Sequence, residues 1–379
     1  PPARGMTSAA SSDGAALATR ALAAAPAPVR VPLRTSAAQR RARLLFALLA
    51  GALLASLVTA CCLGAYRIPL AALRAIALGD DSPELAQARA VLLQIRLPRV
   101  ALALMVGAGF GAAGSALQAL FRNPLADPGL IGISSGAALG AALAIVALPT
   151  LGLAGGLTPA GVTMLGAFVG ALAISALVYR LAARRGQVSL ALLLLAGIAI
   201  NALAGAAIGA LTYIATDAQL RSLTFWSLGS LAGAQWQTVA IVLPPVLVGV
   251  ALIAHARRAL DALQLGEAEA FYLGVAVLRV KRVVLGAAAL AVGALVSCSG
   301  QIGFIGLVAP HCVRLACGPD QRVVLPGAVL LGATLTVLAD LVSRTAAAPA
   351  EIPLGILTAL LGAPFFLALL LRRRGAADA

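Results

Sequence analysis

Apolar residues gather along this chain into ten runs, separated by short polar or proline-rich stretches. They lie at about 44–64, 100–120, 129–149, 159–181, 189–213, 237–256, 281–300, 302–317, 324–343 and 353–371. Crossing a hydrocarbon core of roughly 30 Å takes about 20 apolar residues in a helix, and most of the runs reach that length. Backbone polar groups must be satisfied internally in lipid, so only helices and closed barrels can span it. The short alternating segments of a barrel are missing. The pattern predicts an all-α polytopic membrane protein with ten transmembrane helices, the eighth being the shortest.

Proline and glycine refine this outline. Pro244 and Pro245 fall inside the sixth run and Pro310 inside the eighth, where each removes a backbone donor; a kink or break is expected there. Pro124 and Pro128 bound a tight loop after the second run. Gly107, Gly109, Gly111 and Gly114 recur in the second run, and Gly132, Gly136 and Gly140 in the third. Such small-residue spacing lets helix backbones approach closely.

The composition agrees, at 61% hydrophobic and 11% charged. The net charge of +15 would point to nucleic acid in a soluble protein, but here the basic residues sit between apolar runs. Ten spans put both termini on one side. Of the 28 Lys and Arg, 21 then fall on the side of the termini and 7 on the other, so the positive-inside rule predicts cytoplasmic termini. Residues 1–39, rich in Ala, Pro, Ser and Arg, read as a disordered cytoplasmic tail, 40–374 as the transmembrane domain and 375–379 as a second cytoplasmic tail. The first run follows a basic cluster as a signal peptide would, but its length and lack of a small-residue cleavage site favour a retained helix.

HExxH and GxxxxGK[ST] are missing, and there is no CxxC pair among five cysteines. Neither an enzyme nor a resident metal or cofactor is expected. Asp340 is the clearest span-associated acid, near the outer end of the ninth run, and no relay of acids crosses the membrane. Energy must come from another component. His311 and His255 read as packing or turn residues rather than ligands, and Met105 as core.

Two regions carry candidate contacts. Arg96 and Arg99 precede the second run and Arg344 follows the ninth, all on the outer side. They fit either interfacial snorkelling or a docking surface for an acidic partner. The inner stretch 257–280 is too polar for a bilayer core and too patterned for a linker. It reads either as an amphipathic segment on the membrane or as a projecting foot of two short helices parted near Gly266.

Five stretches in order carry a closer likeness: residues 94–140 (QIRLPRVALALMVGAGFGAAGSALQALFRNPLADPGLIGISSGAALG), 223–231 (LTFWSLGSL), 265–275 (LGEAEAFYLGV), 303–315 (GFIGLVAPHCVRL) and 339–370 (ADLVSRTAAAPAEIPLGILTALLGAPFFLALL). They resemble the FecCD-type permeases of bacterial ABC importers for siderophores, heme and vitamin B12, over roughly residues 44–371. The resemblance implies ten helices per subunit with inverted-topology repeats, of which GFGAAG at 109–114 and GFIGLV at 303–308 are a faint echo. It implies an inner-membrane complex of a second permease subunit (an identical one is favoured), two cytoplasmic ATPases that hold ATP and Mg, and a periplasmic binding protein. It assigns Leu265, Gly266, Glu267, Ala270, Leu273 and Gly274 to ATPase coupling, and Arg96, Arg99 and Arg344 to docking the binding protein.

The stretches at 123–140 and 216–231 are most similar to heme permeases, so heme is the expected cargo. An iron-siderophore or vitamin B12 is the alternative, and a non-transport scaffold a distant one. Asn201, Tyr213 and Arg221 are candidates for the translocation path; helix contacts, interfacial anchoring and topology are their competing roles.

Overall fold

In the computed structural model the described residues are 36–150, 158–184 and 187–375. The expected tails at 1–39 and 375–379 therefore fall almost wholly outside them. The described residues from Ala42 onward form one compact unit.

The helices, in chain order, are α1 (Ser36–Cys62), α2 (Leu70–Ala77), α3 (Pro83–Leu120), α4 (Ile133–Ala147), α5 (Pro159–Ala182), α6 (Leu190–Ile214), α7 (Asp217–Leu228), α8 (Trp236–Leu265), α9 (Glu267–Tyr272), α10 (Val277–Ser299), α11 (Ile305–Cys317), α12 (Gln321–Thr345) and α13 (Leu354–Gly375). Seven of them, α1, α3, α5, α6, α8, α10 and α12, are long and apolar enough to cross a membrane; α4, α11 and the apolar part of α13 are shorter. A two-residue antiparallel ladder, Ala183↔Val188 and Arg184↔Gln187, joins α5 to α6. Among the described residues the fold is otherwise helical.

Two sequence expectations are corrected. Arg96 and Arg99 do not precede the second span; the helix starts a dozen or more residues earlier, at Pro83, and carries both inside it. A π-helical stretch, Val91–Arg96, lies within it. The carbonyl of Leu93 there accepts a bond from Trp236 Nε1 at 2.8 Å. Of the kink or break expected at the prolines, no break is present. α8 runs through Pro244 and Pro245 for 30 residues, reaching into the expected inner loop as far as Leu265. α11 contains Pro310, whose missing N–H would have bonded the Gly306 carbonyl. That carbonyl instead faces Gln118 Nε2 at 3.4 Å, and the adjacent Leu307 carbonyl accepts from the same nitrogen at 3.2 Å.

Two helices were not expected as such. α7 is opened by a capping box: Thr216 Oγ1 accepts from Gln219 N, and Gln219 Oε1 accepts from Thr216 N. α2 lies beyond the first span.

Glycine sets the close approaches at the centre of the bundle. A Cβ at Gly107 would overlap the Gly332 carbonyl, and one at Gly332 would overlap that of Gly107. Gly111 meets Ala328, and Gly114 meets Gly306, in the same way. These contacts seat α3 against α12 and α11. Gly136 against Gly170 and Gly140 against Gly166 form a second reciprocal pair, one turn apart, between α4 and α5. In its most apolar window α3 is 78% buried, whereas α6 is 17% buried. The centre is thus a glycine-packed core, and α6 presents most of its apolar surface outward.

Candidate functional site

The two ends of the bundle hold different chemistry. At the end that carries the α1 C-terminus, all three singled-out arginines come together, and all three are buried: Arg96 is 3% exposed, Arg99 6% and Arg344 8%. Arg99 extends Nε to Asp340 Oδ1 at 2.8 Å and both terminal nitrogens to Glu351, at 2.8 and 2.9 Å. The second Asp340 oxygen faces Arg344 Nε at 3.6 Å. Arg344 Nη2 donates to the Ala60 carbonyl at 2.6 Å, and Arg96 donates to the carbonyls of Cys61 and Tyr66. The Ala60 and Cys61 carbonyls, in the last turn of α1 and at the negative end of its dipole, are thereby closed by guanidinium groups.

The arginines are therefore neither snorkelling nor freely displayed. Sequence reading missed Asp340 and Glu351 as their partners. The spacing of Asp340 to Arg344, four residues on one helix, was the signal that could have found half of this arrangement; Glu351 carries no such local sign. Its side chain is 38% exposed and is the accessible member of the cluster. Hydrogen bonds from Arg99 hold its carboxyl below the usual carboxylate range. The loop that carries it is fixed by Ile352 N donating to the Ser343 carbonyl at 2.9 Å and by Ser343 Oγ donating back to that of Ile352 at 2.5 Å.

At the opposite end, the expected break falls at Gly266, whose φ of 144° is open to glycine and strained for other residues. α8 ends there and α9 begins. Gly274, with φ of 82°, turns the chain toward α10. Leu265 is 67% and Leu273 65% exposed, and beside them Phe271 and Tyr272 are 69% and 87% exposed. Ala270 is fully buried, and the Glu267 carboxylate is held by Lys281 Nζ at 2.6 Å. Of the six coupling candidates, Leu265 and Leu273 thus form the displayed apolar surface, Gly266 and Gly274 shape it, and Ala270 and Glu267 attach it.

The structure does not gather the three path candidates into one site. Asn201 accepts from Ser135 Oγ and donates to the Gly129 carbonyl at 3.4 Å, which ties α6 to α4 and the turn before it. Tyr213 lies twelve residues further along the same helix, about 18 Å by helical rise, and is 91% exposed. Arg221 is exposed on α7. His311 is buried with its ring edge-on to Phe365, centroids 6.2 Å apart. Among the described residues no group of three or more His, Cys, Asp or Glu is placed to hold a metal.

Residues 48–372 match the profile of the FecCD transport family. The hemin transport system permease of Yersinia pestis is 50% identical over 291 residues, covering 75% of this chain and 84% of the relative. The cobalamin import system permease of Halobacterium salinarum is 43% identical over 76% of this chain and 74% of its own. The vitamin B12 import system permease of Escherichia coli is 41% identical over 74% and 83%. A solved inward-facing metal-chelate type ABC transporter superposes with a TM-score of 0.76 at 33% identity, over 87% of this chain and 99% of the other.

Proposed function

Because this chain belongs to the FecCD transport family and is an ABC-importer permease subunit, we propose that the cargo it passes across the membrane is heme. The observation that carries this is the 50% identity to a hemin permease over three quarters of the chain, against 43% and 41% to cobalamin permeases. Those cobalamin matches keep vitamin B12 as the second reading.

The assembly follows from the chemistry at each end. The seven long and three shorter apolar helices make ten spans, arranged as inverted repeats. The contact of Gly114 with Gly306 supports that arrangement, since it joins the two segments that echo each other in sequence. The basic bias puts the α9 end and both termini in the cytoplasm of a bacterial cell, with this subunit in the inner membrane. Two ATPase subunits dock on the apolar surface of Leu265, Phe271, Tyr272 and Leu273. A second permease subunit, identical to this one, packs on the outward faces and completes the path, to which Asn201, Tyr213 and Arg221 belong.

A periplasmic heme-binding protein docks over Arg96, Arg99 and Arg344. Since Arg99 already holds Glu351 in a two-point pair, an incoming carboxylate competes with Glu351 rather than meeting a free charge. Binding of ATP, with Mg, closes the partner subunits. That closure moves α9 and shifts the bundle between two exposures of the path, each state biased by nucleotide and docked protein.

Proteoliposomes holding the permease with its ATPase and binding protein test this directly. ATP-dependent accumulation of heme, in preference to vitamin B12 and an iron-siderophore, is the expected result. Preferential accumulation of either competitor overturns the heme assignment.

A further inference from the structure

Lys281 lies in the second turn of α10 and is 3% exposed. Its ammonium makes two contacts that join separate elements. It donates to Glu267 Oε2 at 2.6 Å, on the first residue of α9, and to the Val188 carbonyl at 2.8 Å, on the residue before the Ser189 cap of α6. Lys281 lies on the lining of an open cavity of about 1020 Å³, together with Val188, Leu190, Glu267, Phe271 and Arg282 among others. Glu267 and Val188 stand on that cavity's lining, with the lysine between them.

A buried ammonium is costly unless charge and hydrogen bonds compensate it. An apolar side chain would fill the same space without that cost, so packing alone does not explain a lysine here. The charge does what packing cannot: it holds two elements that flank a void by directed bonds. The Glu267 carboxylate is 43% exposed, so the strut reaches the surface at the foot of α9. Its other end grips the entry to α6, the helix with the least buried apolar window apart from α1.

We infer that Lys281 is a positioning residue that transmits displacement of α9 to the start of α6. This rests on the importer reading, in which an ATPase acts on α9. When α9 is pushed, Glu267 moves with it, and the ammonium carries the pull across the cleft to the Val188 carbonyl. A shift at α9 then becomes a shift of α6 without close packing between the two helices.

The test reads communication across the membrane without needing the cargo to be known. In the reconstituted complex with ATPase and binding protein, the rate of ATP hydrolysis is measured with and without the binding protein, and their ratio is compared. Lys281→Met should bring the ratio down to about one in a complex that still assembles, and Lys281→Arg should restore most of the stimulation, because a guanidinium can make both bonds. If Lys281→Met does not assemble, Glu267→Ala, which removes the acceptor, decides on the same ratio, with the same loss expected. A wild-type ratio in Lys281→Met, or in Glu267→Ala where that variant decides, overturns the inference, as does an equal loss in Lys281→Met and Lys281→Arg. A ratio of one in the wild-type complex overturns the inference together with the reading of α9 as the ATPase contact. Cargo preference, measured separately, bears on heme alone.

Discussion

Arg99 holds both carboxylate oxygens of Glu351, at 2.8 and 2.9 Å, across 252 residues of chain. The same guanidinium reaches Asp340 with its remaining nitrogen. One side chain thus links α3 to α12 and to the loop that enters α13, at the end proposed to receive a binding protein.

That pairing predicts a dependence on pH. Hydrogen bonds from Arg99 lower the Glu351 pKa from its ordinary value of 4.5. A carboxylate whose folded pKa is depressed stabilises the fold fully above its ordinary pKa and loses that contribution as pH falls through the folded one. Thermal unfolding in detergent should therefore show wild type above Glu351→Gln at pH 7, with the gap closing below about pH 4. A gap that stays constant down to pH 3 would count against the pair.

Asp340 should matter more than Glu351. It is 1% exposed and stands between Arg99 and Arg344. Asp340→Ala leaves two buried guanidinium groups facing each other, a loss on the order of 3–5 kcal/mol. The half-exposed Glu351 should cost well under that when neutralised. Melting temperatures of the two variants, measured side by side, give the ranking, and the reverse order would refute it.

The glycine contacts divide sharply into crowded and open positions. A Cβ at Gly107 or Gly140 meets backbone, whereas one at Gly286 meets nothing within 4 Å. Gly107→Ala and Gly140→Ala should each destabilise by about 1–3 kcal/mol. Gly286→Ala should be neutral or gain up to about 1 kcal/mol from helix propensity. Equal melting temperatures for all three would mean that the close approaches do not exist.

At the α9 end, exposure separates partner contacts from folding contacts. Leu273→Asp, on a side chain 65% exposed, should leave the permease folded and weaken ATPase co-purification. A loss of about tenfold corresponds to roughly 1.4 kcal/mol. Ala270→Asp, at a fully buried position, should instead reduce the yield of folded permease itself. If Leu273→Asp binds the ATPase as wild type does, this face is not the docking surface.

What the sequence determined alone was local. Runs of apolar residues marked the helices because helix length and lipid thickness are matched within a single segment. Gly266 marked the break before α9, because turns act over a few residues. The five matching stretches fixed the family in the same way, residue by residue.

The tertiary structure decided which charges meet. Arg96, Arg99 and Arg344 read as surface groups in sequence, where only Asp340, four residues before Arg344, stood as a local partner; the fold brings Asp340, Glu351 and the α1 carbonyls to them and buries all three. Lys281 read as one more cytoplasmic charge, yet it is sealed between Glu267 and a carbonyl 93 residues away. Periodicity reports which face of a helix is apolar, not which helix lies against it. A buried ion pair requires that second fact, because a charge loses its water only when packing delivers its partner.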